Sequence, residues 1–385
     1  MIEARDFVEA ARKRGFGLYA GVPCSFLKPF INYVIDDPRL RYISAANEGD
    51  AVAIATGAAL AGQRAVAMMQ NSGLGNAVSP LSSLNWVFRL PVLLIVTWRG
   101  MPGLADEPQH ELMGQITDKS LDILEIPHEI FPEDEAQIAA ALERACNHMD
   151  STGRPYALVM KKGSVAPHPL QGSAAPRSGG NALLQAVTEK GARSARSEAL
   201  TQVQVHTAGS SSVVFASTGF TGRELFALED RPNQLYMVGS MGCISSLGLG
   251  FSLCRPDNRV VVVDGDGAAL MRMGNFSTVG AYGGDNFVHL LLDNEVHDST
   301  GGQSTVSSGV HFASVAAACG YKSCSSGDNL HLVKETLEQN MRPAFLHLKT
   351  RPGAAADLPR PDMSPAAVKS RLMQHLDIDA PWRQI

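Results

Sequence analysis

The sequence predicts an α/β protein with two doubly wound, parallel-sheet domains. In both halves of the chain, short apolar runs typical of buried strands alternate with longer windows of helical apolar spacing, which is the pattern of parallel sheets covered by helices. Residues 166–196 are rich in proline, glycine and serine and lack this periodicity, so they predict a linker. We expect a first domain over residues 1–165, a second over residues 197–385 that ends in a helix, and no third domain between them.

The first half begins with a predicted amphipathic helix, because Met1–Gly15 mixes charges with apolar residues at helical spacing, unlike a secretory signal. Strands and helices then alternate. The expected elements in order are the strand LRYISAA, the helix NEGDAVAIATGAALAGQ, the strand AVAMMQ, a Gly-rich loop, the strand PVLLIVTW, the helix Glu135–His148 and the strand Pro155–Gly163.

The second half repeats the alternation from Ser197 onward. Between Arg259 and Asp264 the valine run has no polar break, which predicts a central strand buried on both faces. Ser364 and Pro365 are residue types of a helix N-cap and a first helical position, and they predict a short terminal helix. The other expected elements are a helix after Ser197, strands at Val213–Ala216 and near Leu235–Val238, a helix at Ile244–Leu253, a crossover helix at Ala268–Tyr282 and a strand at Phe287–Leu292.

Composition and charge make several classes of protein unfavourable. The chain has 33 Lys and Arg against 38 Asp and Glu, a net charge of −5 without a dense basic run, so nucleic acid is not an expected partner. The longest apolar stretch, Leu90–Val96, is far shorter than the roughly 20 residues that cross a bilayer, so we expect a cytoplasmic protein. The six cysteines show neither zinc nor disulfide spacing. Only 18% of residues are charged, which favours surface that is buried between subunits.

The most informative motif joins two strand ends in the second half. Asp266 stands between Gly265 and Gly267 just after the valine-rich strand, and Asn294 ends the following strand. In a parallel strand–helix–strand unit, both side chains lie at the edge where open α/β sheets bind ligands. Carboxylate, amide and carbonyl oxygens suit Mg²⁺, and the glycines allow close approach of a phosphate. The motif GDG alone is more often a tight turn with a capping aspartate, but no dinucleotide fingerprint or phosphate-binding GxxxxGK[ST] loop is intact in this sequence.

With its GDG motif, spacer and asparagine at the next strand end, the sequence resembles the thiamine diphosphate family. Asp293 stands where the family has the first of two asparagines, a departure that leaves Asn294 in place. The resemblance implies a pyrimidine-binding domain followed by a diphosphate-binding domain. It also implies that Asp266, Asn294 and the carbonyl of Val296 hold Mg²⁺, which binds the diphosphate of the cofactor.

The resemblance assigns cofactor contacts to both halves. Glu48, at the start of a helix of small residues, takes the position of the acid that hydrogen-bonds the pyrimidine ring, although a glutamate there is usually only a favourable dipole contact. Met241 takes the place of the large apolar side chain beneath the bent cofactor, although methionine is more often core filler. The other cofactor contacts that the resemblance implies are Thr218, Gly219, Phe220, Gly239, Gly265, Gly267 and Ala268.

Four segments and the RPDMSP tail resemble the phosphonopyruvate decarboxylases in particular. The segments are GVPCSFLKPF from Gly21, MQNSGLGNAVSPLSSL from Met69, WRGMPGLADEPQHELMGQIT from Trp98 and LDNEVHDSTGGQST from Leu292. This resemblance implies decarboxylation of the 2-keto acid 3-phosphonopyruvate to phosphonoacetaldehyde in phosphonate biosynthesis. It also implies a homo-oligomer, at least a dimer, with active sites at the subunit interface. A sulfopyruvate decarboxylase, a carboligase and a non-catalytic relative are the alternatives.

The phosphonate of such a substrate needs fixed cationic donors. Arg99 is the first candidate because a guanidinium matches the paired oxygens of a phosphonate, and Arg272 and Lys162 follow. For each of them, a surface cation without a role is about equally expected.

Polar residues on the loops are candidates for proton transfer and substrate orientation. His297 and His110 suit proton transfer near neutral pH, although a structural hydrogen bond explains a loop histidine equally well. Ser25 and Asn71 lie on Gly-rich loops that the resemblance places over the thiazolium ring, where they could orient the carboxylate or the keto oxygen.

Overall fold

The chain forms two compact α/β units, which confirms the predicted fold class. One unit comprises Met1–Ala175 with Asp379–Ile385, and the other comprises Pro176–Ile378. Each unit is built on one sheet in which all neighbouring strands are parallel. The residues that this computed structural model describes are 1–172, 182–186, 192–209 and 211–385.

The division between the units falls inside the predicted linker, much of which lies outside the described residues. Within its described part, Leu183–Ala186 forms a strand at the edge of the second sheet. The C-terminal Asp379–Ile385 belongs to the first unit, whereas the sequence predicted it in the second domain. Trp382 gives the physical reason, because its side chain is 1% exposed and its indole Nε1 donates to the carbonyl of Ala59 at 3.0 Å.

The strands of the first unit are β1 (Phe16–Gly21), β2 (Arg41–Ser44), β3 (Arg64–Gln70), β4 (Leu93–Thr97), β5 (His128–Ile130) and β6 (Tyr156–Met160). Their order in the sheet is β2-β1-β3-β4-β6-β5. The helices are α1 (Ala4–Arg12), α2 (Lys28–Asp36), α3 (Glu48–Leu60), α4 (Leu74–Pro80), α5 (Trp86–Phe88), α6 (Glu111–Ile123) and α7 (Glu135–Thr152). A π-helical segment, Leu81–Asn85, joins α4 to α5.

Helix α3 is the central helix of the first unit. Asn47 caps it by accepting a hydrogen bond from the backbone N–H of Gly49 at 2.8 Å. Every residue from Gly49 to Leu60 is buried, because a helix of small residues can pack closely against its neighbours on all sides. The first residue of α3, Glu48, therefore has a fixed place at the carboxyl edge of the sheet.

The strands of the second unit are β7 (Leu183–Ala186), β8 (Ser212–Ala216), β9 (Gln234–Tyr236), β10 (Arg259–Gly265), β11 (Phe287–Asp293), β12 (Val296–His297), β13 (Gln303–Ser304), β14 (Ser323–Gly327) and β15 (Ala344–Lys349). The sheet order is β7-β14-β15-β11-β10-β8-β9, and β12 and β13 form a separate antiparallel ribbon. Val260–Val263 of β10 are fully buried, as expected for a central strand.

The helices of the second unit are α8 (Arg196–Thr207), α9 (Phe220–Leu228), α10 (Ile244–Cys254), α11 (Asp266–Met271), α12 (Asn275–Tyr282), α13 (Phe312–Ala318), α14 (His331–Glu338) and α15 (Pro365–His375). The predicted crossover helix is two helices, α11 and α12, interrupted around Arg272–Gly274. The predicted terminal helix is α15, whose N-cap Ser364 accepts from the N–H of Ala367 at 3.1 Å. In the described part of the chain, no helix combines the length and the hydropathy that crossing a membrane requires.

Candidate functional site

The second unit has a cleft at the carboxyl ends of β8, β10 and β11. The cleft is open to solvent. The sequence-predicted residues that line it are Thr218, Gly219, Phe220, Met241, Gly265, Asp266, Gly267, Ala268, Asn294, Val296 and His297. The lining residues that were not predicted are Arg196, Ser217, Thr221, Leu292, Asp298 and Ser299. Gly239 lies outside this lining, in the turn before Met241, with a φ of +65°.

Asp266 is the buried carboxylate of the cleft. It follows the last residue of β10, begins α11, and is 4% exposed. Thr305 Oγ1 donates a hydrogen bond to Asp266 Oδ2 at 2.5 Å. Burial raises the pKa of the Asp266 carboxyl, the Thr305 hydrogen bond opposes this rise, and the nearby charge of Asp293 adds to it. A cation bound here would reverse the effect of burial by stabilising the ionised carboxylate.

Asn294 lies just beyond the end of the neighbouring strand β11 and is 3% exposed. Its Nδ2 donates to Asp298 Oδ2 at 2.6 Å, and its Oδ1 accepts a long hydrogen bond of 3.3 Å from the N–H of Val296. The Asp298 carboxylate thus engages the NH₂ side of the Asn294 amide, and the amide oxygen lies on the other side.

The donor set of the cleft fits a hard divalent cation. Asp266, Asn294 and Val296 all line the cleft, and a carboxylate, an amide oxygen and a backbone carbonyl are hard oxygen donors. Among the described residues, no group of three or more His, Cys, Asp or Glu could hold a metal ion. The oxygen set of the cleft is therefore not a site in which side chains of these four types supply every metal ligand. Mg²⁺ suits such a partial set because it keeps positions for water and phosphate.

Two glycines of the cleft have a structural reason, which is close packing for Gly267 and a positive φ for Gly219. A Cβ on Gly267 would lie 2.5 Å from His297 Cε1 and 3.1 Å from Met241 Cε, so the predicted proton-transfer and cofactor-contacting side chains converge on this residue. Gly219 has a φ of +89° and immediately precedes α9, where the helix N-terminus favours an anion.

Asp293, the departure from the asparagine pair, is a fully buried residue with its own partners. Its Oδ2 accepts from His347 Nε2 and from Lys349 Nζ, both at 2.7 Å, and its Oδ1 accepts from Ser307 Oγ at 2.8 Å. Burial raises the pKa of Asp293, but the hydrogen bonds from His347 and Lys349 hold it well below its ordinary value. The chain therefore carries an ionised aspartate here together with the hydrogen-bond donors His347, Lys349 and Ser307 that stabilise it.

In the first unit, Glu48 lies against a glycine. A Cβ on Gly73 would come within 2.5 Å of Glu48 Cγ and Oε1. Asn76 Nδ2 donates to Glu48 Oε2 at 2.8 Å, and the glutamate is half-buried. The segment around Gly73 thus fixes the direction of the carboxyl group that the sequence predicts as the cofactor-activating acid.

Arg99 and Ser25 meet at the same edge of the first sheet. Arg99 Nη1 donates to Ser25 Oγ at 3.2 Å, and its guanidinium lies 4.8 Å from the centre of the Phe26 ring. Asp106, which sequence reasoning missed, holds Arg99 through Nε at 2.7 Å and also through Nη2. The hydrogen bond to Asp106 raises the pKa of the Arg99 guanidinium. The first candidate for substrate-anion binding is therefore fixed and charged, but already shared with a carboxylate.

Asn71 and His110 are both buried. Asn71 Nδ2 donates to the carbonyl of Arg99 at 2.8 Å and to Thr117 Oγ1 at 2.9 Å, so the amide nitrogen supports the backbone of Arg99. His110 is 5% exposed, and its Nδ1 is buried without a hydrogen-bond partner in the described structure. Their roles toward a substrate stay predictions.

The two remaining cation candidates lie in different units. Lys162 is exposed in the turn after β6. Arg272 follows the end of α11, and its Cγ would be 2.9 Å from a Cβ on Gly242. Neither lines the second-unit cleft described above, and their roles toward a phosphonate stay predictions.

Sequence reasoning also missed Arg196 and Asp298 in the cleft lining and three residues outside it, namely Thr305, His347 and Lys349. His347 and Lys349 pair in register with Leu291 and Asp293 of β11. Asp293 in place of an asparagine was the visible signal that hydrogen-bond donors lie nearby, but the positions of those donors depend on strand order.

Comparisons with known proteins show which family the two halves of the chain resemble. Residues 3–121 match the thiamine pyrophosphate enzyme N-terminal TPP binding domain, and residues 217–348 match the C-terminal TPP binding domain. A phosphonopyruvate decarboxylase of Streptomyces viridochromogenes is 43% identical over 376 residues, 96% of this chain and 94% of the relative. A sulfopyruvate decarboxylase of Methanosarcina acetivorans is 28% identical over 385 residues, 96% of this chain and 97% of the relative.

Solved structures show the same fold at low sequence identity. The benzoylformate decarboxylase of Polynucleobacter necessarius has a TM-score of 0.69 at 12% identity, over 91% of this chain and 99% of that chain.

Proposed function

The chain belongs to the family of thiamine pyrophosphate-dependent decarboxylases, and on that premise we propose that it converts 3-phosphonopyruvate to phosphonoacetaldehyde and CO₂ with thiamine diphosphate and Mg²⁺. The observation that carries this proposal is the cleft that gathers Asp266, Asn294 and Val296 at two adjacent strand ends. The choice of substrate follows from the similarity to a phosphonopyruvate decarboxylase along nearly the whole chain. We place the reaction in the biosynthesis of phosphonates.

In this proposal the second unit holds the charged end of the cofactor. Asp266 Oδ1, Asn294 Oδ1 and the carbonyl of Val296 would bind Mg²⁺, leaving its other positions to diphosphate and water. The turn at Gly219 would present backbone N–H groups at the start of α9 to the diphosphate. Met241 and His297, which converge on Gly267, would form the wall next to the reacting part of the cofactor.

Bound thiamine diphosphate supplies a carbon nucleophile and an electron sink for the pair of electrons that a 2-keto acid releases with CO₂. Glu48 would exchange a proton with the pyrimidine ring. Because Asn76 engages Oε2, Oε1 is the oxygen left for that exchange. Gly73 supports this direction, since a larger residue there would overlap the carboxyl group.

The substrate anion would be bound by Arg99 together with Ser25. Asp106 holds the Nε side of the guanidinium, so the Nη1 side, which points to Ser25, remains for the phosphonate. His297 and His110 remain our candidates for delivering the proton that replaces CO₂.

We also propose that the active form is a homo-oligomer, at least a dimer, with active sites at subunit interfaces. Exposed apolar side chains next to the site residues support this. Val78 is 43% exposed on α4, the helix of Asn76, and Met271 is 61% exposed on α11, the helix of Asp266. Light scattering of the purified protein tests this part, and a stable, active monomer would contradict it.

The function is tested by incubating the purified protein with thiamine diphosphate, Mg²⁺ and phosphonopyruvate, and by measuring the aldehyde through coupled reduction. We expect kcat/KM for phosphonopyruvate to exceed that for sulfopyruvate by at least about tenfold, since the two differ in the anion that the site must bind. A preference for sulfopyruvate would favour the sulfopyruvate decarboxylase alternative. A hydroxyketone formed with an added aldehyde would favour a carboligase.

A further inference from the structure

The two side chains of the proposed metal site each have a neighbour that fixes their orientation. For Asn294 the neighbour is Asp298, which accepts from Nδ2 at 2.6 Å. For Asp266 it is Thr305, which donates to Oδ2 at 2.5 Å. Asp298 is in the cleft lining but has no role in the proposal above, and Thr305 lies behind it.

Asp298 determines which end of the Asn294 amide faces the cation site. An ionised carboxylate only accepts hydrogen bonds, so it selects the NH₂ end of the amide and leaves Oδ1 on the opposite side. An amide turned the other way would place its oxygen against the carboxylate and its NH₂ group toward the cation. Both contacts would be repulsive.

Asp298 itself is held by the protein. Its Oδ2 accepts from Arg196 Nη1 at 3.2 Å, and both of its oxygens lie within 3.2 Å of the backbone N–H of Gly353. Arg196 is in turn held by both oxygens of Glu224, at 3.0 and 3.1 Å. The side chains of Arg196 and Glu224 are each 7% exposed, so the pair that supports Asp298 is largely buried.

Thr305 fixes the orientation of the Asp266 carboxyl group in a similar way. Its hydroxyl donates to Oδ2, and the backbone N–H of Gly267 and the Ser307 side chain also hydrogen-bond the carboxyl group, so together they fix its orientation and the cation would use the remaining lone pairs. Thr305 Oγ1 lies 2.9 Å from Ser307 Oγ, which donates to Asp293 at 2.8 Å. The loop after β13 thereby connects Asp266 to the buried aspartate Asp293.

We propose that Asp298 and Thr305 are positioning residues, which orient Asn294 and Asp266 so that one oxygen of each points to the divalent cation. This inference rests on the proposed function, because it requires that the cleft binds Mg²⁺. Neither residue touches the reacting atoms. Their loss is therefore expected to weaken cation binding rather than to abolish turnover at saturating cation, and partners of this kind typically change metal affinity about 10–100-fold.

The test measures cation affinity directly on the full-length protein. Metal-free wild type, Asp298→Asn, Thr305→Val and Thr305→Ser are saturated with thiamine diphosphate and titrated with Mn²⁺, with free Mn²⁺ measured by electron paramagnetic resonance. Calorimetric titration with Mg²⁺ repeats the measurement. Thermal unfolding of the metal-free proteins verifies that each variant is folded.

We expect the Kd for Mn²⁺ to rise about 10–100-fold in Asp298→Asn and in Thr305→Val. Thr305→Ser, which keeps the hydroxyl, should stay within about threefold of wild type, and kcat at saturating Mg²⁺ should be largely retained in all three. Thr300→Val is the matched control, because the Thr300 hydroxyl bonds to the carbonyl of His297 and to Gln303 in the same loop.

A folded Asp298→Asn or Thr305→Val protein with the Kd of wild type overturns the role of that residue. Equal losses in Thr305→Ser and Thr305→Val also overturn the role of Thr305, because a hydroxyl would then not suffice. If Asp298→Asn does not fold, the comparison of Thr305→Val with Thr305→Ser still tests the inference. A wild type that binds neither Mn²⁺ nor thiamine diphosphate refutes the proposed function itself, whereas normal binding in wild type and variants alike refutes only the positioning roles.

Discussion

The two units differ in how they hold their candidate functional residues. In the second unit, Asp266 and Asn294 are 4% and 3% exposed; Asp266 accepts a hydrogen bond from Thr305, and Asn294 donates one to Asp298. In the first unit, Glu48 is half-buried, and the hydrogen bond from Asn76 engages only one of its oxygens. A site that binds a metal and a diphosphate gains from being rigid in advance, whereas an acid that exchanges a proton must keep one oxygen accessible.

The largest effect is expected from removing the rigid carboxylate. Asp266→Ala should lower kcat/KM by at least about 10³-fold, because a metal ion contributes several kcal/mol of charge stabilisation and orients its ligand. Steady-state kinetics with increasing Mg²⁺ and thiamine diphosphate measure the loss. Asp285→Asn, which changes an exposed aspartate paired with Lys322, is the control. Mg²⁺-dependent activity within about tenfold of wild type would show that the cleft is not the metal site.

Glu48→Gln tests the accessible acid and should lower kcat by about 10²–10⁴-fold, the usual contribution of a positioned acid or base. Cofactor affinity, measured by calorimetry, should change much less, since the amide keeps the size of the side chain. Glu135→Gln changes another glutamate at the first position of a helix and should have no effect. Full decarboxylation by Glu48→Gln would remove the proposed mechanism.

The direction of Glu48 can be tested without changing Glu48. In Gly73→Ala the added Cβ would lie 2.5 Å from the Glu48 carboxyl group, whereas in Gly75→Ala it would meet nothing within 4 Å. We expect kcat to fall about tenfold in Gly73→Ala, because displacement by about 1 Å is costly in a positioned site, and to stay unchanged in Gly75→Ala. Equal activities of the two variants would contradict the supporting role of Gly73.

A smaller effect is expected from removing the charge of Asp106, the loop residue that holds the Arg99 guanidinium. Asp106→Asn should raise KM for phosphonopyruvate by roughly 3–10-fold with a smaller change in kcat, because Arg99 loses its fixed orientation but keeps its charge. Asp118→Asn changes an exposed aspartate of α6 and serves as the control. A change confined to kcat would show that Arg99 does not bind the substrate anion.

The smallest effect concerns stability and pH. The hydrogen bond from Arg99 holds the pKa of Asp106 below its ordinary value. The ionised pair therefore stabilises the folded state above the unfolded pKa of about 3.9, and this contribution is lost as the pH falls toward the lower folded pKa. The difference in unfolding temperature between wild type and Asp106→Asn should be constant from about pH 8 to 6 and begin to shrink below about pH 4. A difference that grows on acidification would contradict this assignment.

The sequence predicted the site residues that sit next to strand ends in regular order. Asp266 and Asn294 follow β10 and β11, and parallel strands place such residues together whatever the rest of the fold does. Glu48 at the start of a helix of small residues was predicted as a cofactor contact through the resemblance to the thiamine diphosphate family, and its role stays a prediction.

Residues that act through long-range contacts could not be predicted. His347 and Lys349 hydrogen-bond Asp293 from β15, and Asp106 reaches Arg99 from a loop. Their positions depend on strand order and on loop conformation, and neither can be derived from the local patterns of a single sequence. The interruption between α11 and α12 was missed for a similar reason, since the apolar pattern continues across it.

Trp382 can serve as an intrinsic fluorescence probe of the first unit. Trp382 is one of three tryptophans in the chain, and its buried indole donates to Ala59 near the end of the helix that begins at Glu48. Replacing Trp86 and Trp98 by phenylalanine would leave a single emitter whose fluorescence follows the packing of α3. A purification tag fused after Ile385 would lie three residues from this indole, so an N-terminal tag is the safer choice for measurements on Glu48.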